Sequence, residues 1–474
     1  MVASSTLRSL GLAALSLAVQ VHAAPPAKPG KDSWKDEIKH IIWIVMENRS
    51  FDNLMGGMNY TDDIDGLLKE ENLVCLPVNV TDPNNDECFV PTSHNHNSVL
   101  LDPEHGSADS AFEAYSTFDL DLEAIQEGKQ KPDNRGFLTM QLWGHDLDDP
   151  AEATDAINYY PPEYVPILTD LAKNFVLFDR WFGGILGPTN PNRAMLTSGT
   201  SAGHGENDYP LTHWGSKQRS IFQILSEKNI TWGNYGDTGG VADANFYAPE
   251  KSNMPQWTRE SGTELTNVHL KNKYFTHLEE GTLPELVYLN PTCCGVGTES
   301  MHPDGLVSDG EQYIKDMYEA LRASKYWEKS LMVITFDEHG GFWDHVPPVV
   351  APRPDNLTWS TTARDGTEFT LDFGTTNVRL PTLLISPWVP KGHVEHKGKN
   401  NGKEYSATSI LKFLGGFWDF PDLSPRVSWS STWEHLMLKK ARKDTPKTLP
   451  PVKEFDISSL SAKQLQQRAA RGLL

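Results

Sequence analysis

The sequence predicts an α/β domain in which helices cover both sides of a largely parallel β-sheet. Short apolar runs of strand length recur along the chain, and an amphipathic helical pattern leads directly into one of them. Apolar runs without alternation are typical of parallel strands that are buried on both faces. The alternation of such strands with helices is typical of a sheet sandwiched between helical layers.

Four apolar runs are the candidate strands. They span residues 41–46, 175–178, 331–336 and 382–385. Residues 309–324 repeat apolar side chains at four-residue spacing (Tyr313, Met317 and Leu321), which predicts an amphipathic helix before the third strand.

The domain organisation is expected to be simple. A chain of 474 residues is long enough for two or three domains, but one large α/β domain over residues 24–436 fits as well. Residues 62–155 are polar and loop-rich, which predicts an insertion or cap near the site. Residues 437–474 form a tail, with a short polar helix candidate near residues 461–470.

The N-terminus has the pattern of a secretory signal peptide over residues 1–23. Arg8 is the only charged residue before Lys28, and an apolar stretch runs roughly from residue 10 to residue 21. A membrane anchor is the alternative, but the stretch is too short to span a bilayer. We therefore expect a secreted, extracellular protein.

The charge of the chain limits its partners. The formal net charge is −21, which disfavours nucleic acid and gives no attraction to anionic membranes. We expect no nucleic-acid partner, and at most a peripheral membrane contact made through apolar groups, zwitterionic headgroups or a local patch. The sequence does not indicate an oligomeric state.

Four cysteines become possible disulfide partners in an exported protein. Cys75 and Cys88 enclose a short loop, and we expect them to pair. Cys293 and Cys294 are adjacent, so they form a vicinal disulfide or one of them pairs elsewhere. Glycosylation sequons begin at Asn48, Asn59, Asn79, Asn229 and Asn356.

Polar clusters follow two of the candidate strands. Glu47 and Asn48 come directly after the first, and Asp337 and Glu338 directly after the third. Ligands of parallel sheets bind beyond the carboxyl ends of the strands, and acidic groups brought together there would repel each other without a divalent cation. The alternative is that these residues cap helices or form surface salt bridges.

Thr189, Asn190 and Pro191 have the pattern of a helix start. A hydroxyl at this place faces free backbone N–H groups, which favour phosphate, and a neighbouring cation would make the hydroxyl a nucleophile. The alternative is a simple N-cap. Histidines in loops are the candidate general acids. They are His94, His96, His105, His204, His302, His339 and His345.

Several segments, in this order, resemble the motifs of the phosphoesterase family that contains the plant and bacterial non-specific phospholipases C and related acid phosphatases. They are residues 47–52 (Glu-Asn-Arg-Ser-Phe-Asp), 187–193 (Gly-Pro-Thr-Asn-Pro-Asn-Arg), 337–348 (beginning Asp-Glu-His-Gly-Gly) and 379–387 with 394–396. The resemblance covers roughly residues 38–436. It implies a three-layer α/β/α sandwich similar to that of the alkaline-phosphatase superfamily.

The resemblance also implies roles for individual residues. Glu47, Asn48, Asp337 and Glu338 would bind a metal ion, and Thr189 would be both nucleophile and metal ligand. Asn48 would then be a buried ligand and would not carry a glycan. The residues expected to contact substrate are Asn192, Arg193, His339 and His345.

Two further segments resemble the parts of the family that supply histidines to the site. His105 ends the segment Asp102–His105, and His302 follows Met301, where relatives often have Asp. His105 and His302 are therefore the candidates for protonating the leaving alcohol. Asn190 also departs from the family, because many relatives have His there.

The resemblance implies a secreted metal-dependent phospholipase C that acts through a phosphothreonine intermediate. An acid phosphatase acting on phosphomonoesters is the alternative within the family. A non-catalytic binding protein and a sulfatase-like enzyme are less consistent with the sequence, because no ligand is lost and position 189 is Thr. The oxygen-rich ligand set suits Ca²⁺ or Mg²⁺, and Zn²⁺ remains open.

Overall fold

The computed structural model describes most of the chain. It covers residues 33–93, 97, 99, 101–208, 218–236, 243–247, 267–295, 297–303, 305–399, 403–453 and 469. The predicted signal peptide, His94 and His96 lie outside the described residues, as does the predicted tail helix apart from residue 469.

The strands of the described chain form one eight-stranded sheet and three small two-stranded sheets. They are β1 (His40–Met46), β2 (Leu76–Pro77), β3 (Cys88–Phe89), β4 (Val176–Phe178), β5 (Trp181–Phe182), β6 (Trp232–Gly236), β7 (Val268–Leu270), β8 (Leu286–Leu289), β9 (Ser330–Phe336), β10 (Trp359–Thr362), β11 (Glu368–Leu371), β12 (Thr382–Ile385), β13 (His393–Glu395) and β14 (Tyr405–Ser406). The strand order of the large sheet is β13-β4-β12-β9-β1-β8-β6-β7.

The large sheet is mostly parallel. Its pairs run parallel except those made by β12, which is antiparallel to both β4 and β9. All four predicted strands lie in this sheet, so the prediction of a largely parallel sheet is confirmed. The expectation that the fourth strand is parallel was wrong, because an apolar run buried on both faces does not reveal its direction.

The α-helices of the described residues connect and cover these strands. They are α1 (Ser33–Glu37), α2 (Phe51–Met55), α3 (Ser107–Tyr115), α4 (Leu122–Gln126), α5 (Phe137–Gly144), α6 (Pro166–Asn174), α7 (Thr189–Ser198), α8 (Ile221–Glu227), α9 (Asn272–Glu280), α10 (Val307–Ala323), α11 (Ser409–Trp418) and α12 (Pro425–Trp429). Short 3₁₀ turns span Glu70–Asn72, Pro150–Ala156, Asp243–Tyr247, Trp327–Lys329 and Glu434–Leu436. The helix predicted over residues 309–324 is α10.

Two groups of helices cover the sheet. One group packs α6, α9 and α10 together, and the other packs α7, α8, α11 and α12 together. Every residue of β1 and of β9 is buried, as expected for central strands with both faces covered. The predicted three-layer α/β/α sandwich is confirmed.

The register of the two central strands positions the candidate site. His40 pairs with Ser330 at one end of the β1–β9 ladder, and Met46 pairs with Phe336 at the other. The backbone N–H of Asp337 still donates to Met46 O at 3.1 Å. The first residues beyond both strands, Glu47 and Asp337, therefore leave the sheet side by side.

The region of residues 62–155 contains more helix than its polar sequence suggests. Helices α3 and α5 pack against each other, and apolar side chains of both helices are buried. One of the buried clusters joins α3 to Ile185, Met195 and the β10–β11 hairpin. Cys75 and Cys88 form the expected disulfide beside the β2–β3 pair.

The beginning of the tail packs on α10. Lys315 Nζ donates to Leu449 O at 2.7 Å, and Tyr318 Oη donates to Pro446 O at 2.6 Å. Among the helices of the described residues, none combines the length and the apolar character that crossing a bilayer requires.

Candidate active site

Asn48 connects the predicted site residues. Its backbone N–H donates to Asp337 Oδ1 at 3.1 Å. Its side-chain Nδ2 lies 3.1 Å from His105 Nε2, and its Oδ1 accepts from Thr189 Oγ1 at 3.3 Å. The residue is fully buried and has a φ of 56°. A buried amide cannot carry a glycan in the folded protein, which agrees with the expectation for this sequon.

Thr189 is the first residue of α7. The N-cap is Pro188, whose side chain makes no capping hydrogen bond. The simple N-cap alternative for Thr189 is therefore removed. In the first turn the Asn190 N–H donates to Asn207 Oδ1 at 2.7 Å and Pro191 has no N–H, so the N–H nearest the Thr189 hydroxyl is its own. Thr189 is half-buried and contributes to the wall of a cavity of about 320 Å³.

Asn192 shapes the turn that leads into α7. Its Oδ1 accepts from the Ile185 N–H at 2.9 Å, and its Nδ2 donates to the carbonyl oxygens of Gly187 at 2.9 Å and Pro188 at 3.1 Å. The side chain is fully buried. These contacts indicate that Asn192 holds Thr189 in place. The contact of Asn192 with substrate stays a prediction, and these hydrogen bonds do not support it.

Arg193 lies among three carboxylates instead of pointing freely toward a substrate. Its Nη2 donates to Glu47 Oε1 at 2.9 Å, its Nε to Asp337 Oδ2 at 3.0 Å and its Nη1 to Asp243 Oδ2 at 3.2 Å. Only 4% of its side chain is exposed. These ion pairs engage Nε and both Nη nitrogens, and its predicted role in substrate binding stays a prediction.

Asp243 is a site residue that sequence reasoning missed. Besides Arg193, it accepts from Tyr288 Oη at 2.5 Å and from Asn290 Nδ2 at 3.1 Å. It begins the 3₁₀ turn Asp243–Tyr247 and belongs to none of the recognised motifs. Its only sequence signal is an acidic residue within a region of few periodic segments, which does not distinguish it from a surface carboxylate.

The carboxylates of the site outnumber its fixed cation. Glu47, Asp337 and Asp243 share the single guanidinium of Arg193, and Glu338 follows Asp337 directly. Burial raises the pKa of Asp337 well above its usual range; Arg193 lowers that pKa, whereas Glu338 and Glu47 raise it further. Glu47, Asp337 and Asp243 therefore have one guanidinium between them, which leaves this side of the site short of positive charge.

The two carboxylate oxygens of Glu338 differ in their hydrogen bonding. Its Oε2 accepts from the Gly340 N–H at 2.5 Å and lies 3.3 Å from His339 Nδ1. Its Oε1 is buried, has no hydrogen-bond partner among the residues that the structure describes, and lies 3.5 Å from His105 Nε2. Burial raises the pKa of Glu338, but His105 and His339 and the Gly340 N–H lower it by more. This side chain stays ionised with an unused oxygen.

His105 and His302 occupy two sides of the site. His105 Nδ1 contacts Pro103 O at 2.5 Å, so Nε2 is the nitrogen that faces Asn48 and Glu338. Burial lowers the pKa of His105, but Glu338 and Asp102 raise it above its usual value. His302 lines the cavity and has Nε2 at 3.8 Å from Asp102 Oδ2.

His339 and His345 lie in buried ion pairs. His339 Nε2 contacts Glu113 Oε2 at 3.0 Å, and both side chains are almost fully buried. His345 Nδ1 contacts Asp52 Oδ2 at 2.7 Å within a second cluster that includes Arg379. The contact of His339 and His345 with substrate stays a prediction, and their buried positions do not support it. His204 pairs with Asp208 near the surface.

The cavity next to Thr189 has both charged and apolar lining residues. Glu47, Arg193 and Asp243 supply the charges. Phe246 and the vicinal disulfide of Cys293 and Cys294 also line it, and this disulfide resolves the pairing that the sequence left open. A pocket of about 470 Å³ beside Trp232 and His277 contains none of the predicted site residues.

The donor set fits a divalent cation. Glu338 Oε1 is a buried carboxylate oxygen without a hydrogen-bond partner, and Asn48 Oδ1 and Thr189 Oγ1 lie within 3.3 Å of each other. Oxygen donors of this kind suit hard cations such as Mg²⁺ and Ca²⁺, although Zn²⁺ also binds carboxylates. Asp337 Oδ1 accepts from the Asn48 and Glu338 N–H groups, whereas Oδ2 accepts from Arg193 Nε and keeps a second lone pair for an ion.

Known proteins match this chain over most of its length. The model of the phosphoesterase family matches residues 38–421. Non-specific phospholipase C6 of Arabidopsis thaliana is 32% identical over 92% of this chain and 78% of its own length. Non-specific phospholipase C1 of the same plant is 31% identical over 88% and 74%.

A solved structure of a protein in the alkaline phosphatase superfamily from Vibrio parahaemolyticus is 10% identical. It covers 66% of this chain and 80% of its own, with a TM-score of 0.32.

Proposed function

The chain belongs to the phosphoesterase family and is a phosphoric ester hydrolase, and from this premise we propose that it is a metal-dependent phospholipase C. It cleaves glycerophospholipids between glycerol and phosphate. The observation that carries the proposal is the position of Thr189, which begins α7, donates its hydroxyl to Asn48 Oδ1 at 3.3 Å and lines the cavity. The names of the two plant relatives support the choice of a phosphodiester.

Thr189 is the nucleophile of the proposed reaction. Its hydroxyl gives up its proton to solvent, Oγ1 forms a bond to phosphorus, and the bond between phosphorus and the glycerol oxygen breaks. The Thr189 N–H at the start of α7 stabilises the charge on the phosphoryl oxygens, because the Asn190 N–H already donates to Asn207 Oδ1 and Pro191 has no N–H. Diacylglycerol leaves, and the headgroup phosphate stays on Thr189 until water attacks phosphorus and releases the phosphorylated headgroup.

A histidine supplies the proton that the leaving glycerol oxygen needs. His105 is one candidate, because its Nε2 faces Asn48 and Glu338 at the centre of the site. His302 is the other, because it lines the cavity and lies close to Asp102. Loss of the general acid lowers turnover by about 10²–10⁴-fold.

The proposed metal ligands are Glu47, Asn48, Thr189, Asp337 and Glu338. A divalent cation held by these residues would compensate for their negative charge, lower the pKa of the Thr189 hydroxyl and neutralise phosphate charge. Of these residues, Glu338 offers Oε1, which has no hydrogen-bond partner among the described residues, and Asp337 offers the second lone pair of Oδ2 beside Arg193. The identity of the ion is left to elemental analysis among Mg²⁺, Ca²⁺ and Zn²⁺.

The proposed site of action is outside the cell, at phospholipid surfaces. Residues 1–23 have the pattern of a signal peptide, and the two disulfides suit an oxidising compartment. Because the net charge is −21, we expect binding to zwitterionic rather than anionic lipid surfaces, and no binding of nucleic acid.

The test compares Thr189→Ala with Thr189→Ser on two substrates. The purified enzyme is given phosphatidylcholine micelles and a soluble phosphomonoester, and diacylglycerol and inorganic phosphate are measured. We expect diacylglycerol to be the main product, Thr189→Ala to lower its formation by about a thousandfold, and Thr189→Ser to retain much of it.

A second measurement examines the covalent step. Rapid quenching followed by peptide mass spectrometry is expected to find the headgroup phosphate on Thr189. Near-wild-type turnover by Thr189→Ala contradicts the mechanism. Hydrolysis of the phosphomonoester alone contradicts the phospholipase assignment and favours the acid phosphatase.

A further inference from the structure

The vicinal disulfide forms part of the wall of the catalytic cavity. Cys293 and Cys294 follow β8 in the loop that leads to His302, and all three residues line the cavity. Cys293 is half-buried and Cys294 is exposed, so a small reductant has access to the bond. Cys294 Sγ lies 4.0 Å from Glu47 Oε2.

The same residues bring soft metal ligands together. One ligand atom each from Cys293, Cys294 and His302 lies within 4.8 Å of the others. In a tetrahedral zinc site the ligand atoms are roughly 3–4 Å apart, given metal–sulfur and metal–nitrogen bonds of about 2.3 and 2.1 Å. Glu47 is close enough to provide a fourth ligand.

The oxidation state decides whether these atoms bind a metal. In a disulfide the two sulfur atoms are bonded to each other and are poor ligands, whereas thiolates bind Zn²⁺ and Cd²⁺ strongly. Two thiolates and one imidazole are a ligand set known from zinc sites, and thiolates select such cations over Mg²⁺ and Ca²⁺.

We propose that reduction of the Cys293–Cys294 disulfide creates a binding site for one Zn²⁺ or Cd²⁺ ion in the cavity wall, and that this ion blocks catalysis. An external dithiol supplies two electrons and two protons: its own sulfurs form a disulfide, and Cys293 and Cys294 become thiols. Binding of the ion by the two sulfurs and His302 releases the two thiol protons.

Blockage follows from the position of the site. The ion lies beside Glu47 and takes up His302, one of the two candidates for protonating the leaving group. This inhibitory effect rests on the proposed function, whereas binding of the ion does not. The oxidised enzyme has no such site and is therefore expected to tolerate soft metals better than the reduced enzyme.

The test uses the full chain with Cys75→Ser and Cys88→Ser, so that one thiol pair remains. The protein is reduced with a dithiol, freed of reductant without oxygen and titrated with Cd²⁺. We expect thiolate-to-cadmium absorption in the ultraviolet that saturates near one equivalent. The oxidised protein and a variant that also has Cys293→Ser and Cys294→Ser should show none. If the background variant does not fold, the reduced protein with its native Cys75 and Cys88 is titrated beside its Cys293→Ser, Cys294→Ser variant, and the difference between the two absorptions reports the site.

Activity is measured in parallel. Diacylglycerol formation by the reduced enzyme should fall by about a hundredfold with Cd²⁺ and recover with a chelator followed by Mg²⁺, Ca²⁺ or Zn²⁺ under oxidising conditions. Absence of the absorption after reduction, or equal absorption without Cys293 and Cys294, overturns the site. Absorption with undiminished hydrolysis overturns the blockage. An oxidised enzyme that never forms diacylglycerol contradicts the proposed function and leaves the metal titration interpretable.

Discussion

Gly340 packs directly against the backbone of Asn48. A Cβ atom built on Gly340 would lie 2.4 Å from Asn48 O, and both residues have left-handed backbones, with φ of 62° and 56°. The loop after β9 and the loop after β1 are therefore in contact through their main chains, with no space for a side chain between them.

Gly340→Ala is expected to damage the site through this contact. The added methyl group forces the Asn48 backbone to move, and Asn48 links Asp337, His105 and Thr189. We expect a loss of about 3 kcal/mol in the free energy of unfolding and a fall of at least about a hundredfold in kcat/KM. Urea denaturation and steady-state kinetics measure the two effects.

Gly128→Ala is the matched control. Gly128 has a φ of 72°, but a Cβ there meets nothing within 4 Å. It should cost about 1 kcal/mol through backbone strain and leave kcat/KM unchanged. Equal kinetic effects of the two substitutions would show that the contact with Asn48 does not matter.

Asp243→Asn tests the partner of Arg193 that the sequence did not reveal. Removing this charge releases one side of the guanidinium, which then has only Glu47 and Asp337 to hold it. We expect kcat/KM to fall by about tenfold to a hundredfold, with a smaller effect on the free energy of unfolding.

Glu311→Gln serves as its comparison. Glu311 is also a buried acid, but its oxygens accept from the Ile167 and Leu168 N–H groups at the start of α6. Its loss should lower stability with kcat/KM retained. The prediction about Asp243 fails if the two variants show the same pattern.

The protein should lose stability between about pH 6.5 and pH 9 through His345. Burial lowers the pKa of His345, but Asp52 and the hydrogen bonds to Asp52 and Asp65 raise it to about 9. Because the folded pKa lies above the unfolded value of about 6.5, the contribution is complete below pH 6.5 and is lost as the pH rises through 9. We expect it to be on the order of 2 kcal/mol.

Urea midpoints measured across this range test the prediction. His345→Gln should be less stable than the parent at pH 6 and should decline less as the pH rises. His204→Gln, which alters a more exposed pair with Asp208, should keep the parental slope. A parental slope in His345→Gln contradicts the assignment.

Removal of the metal should abolish hydrolysis and lower the melting temperature. Chelation leaves Glu47, Asp337 and Glu338 without their proposed cation, and a bound ion stabilises the folded state by mass action. Activity should return with one of Mg²⁺, Ca²⁺ or Zn²⁺, and elemental analysis identifies the native ion.

The variants Glu338→Gln and Glu113→Gln distinguish a proposed metal ligand from a neighbouring carboxylate that is not one. Glu338 has the buried oxygen without a partner, whereas Glu113 contacts His339 and belongs to no proposed ligand set. We expect Glu338→Gln to weaken metal binding by at least about a hundredfold and Glu113→Gln to weaken it less. Unchanged affinity in Glu338→Gln would remove that residue from the site.

The sequence was most informative about the site residues that come directly after a strand. The runs before Glu47 and Asp337 identified two central strands, and the position beyond their carboxyl ends indicated the site. The sequence was least informative about contacts between distant loops. Asp243 contacts Arg193 from a segment that has no periodic pattern. The place of Arg193 in a motif does not by itself show that its guanidinium donates to carboxylates.

Local patterns also left orientation undetermined. The run at residues 382–385 is buried on both faces in either direction, so its antiparallel pairing follows from the path of the chain rather than from its residues. Thr189 is likewise a residue type that is common at helix N-caps. Only the backbone conformation shows that Pro188 is the N-cap residue of α7.

The β1–β9 register makes catalysis a reporter of folding. Asn48 and Asp337 are 289 residues apart in the chain, yet they meet because Met46 pairs with Phe336. A collapsed intermediate with helices but without this long-range pairing has no assembled nucleophile site, and such pairings form slowly. In refolding experiments, hydrolysis should therefore return at the rate at which β1 and β9 pair. Its return should lag behind the return of the helical circular dichroism signal.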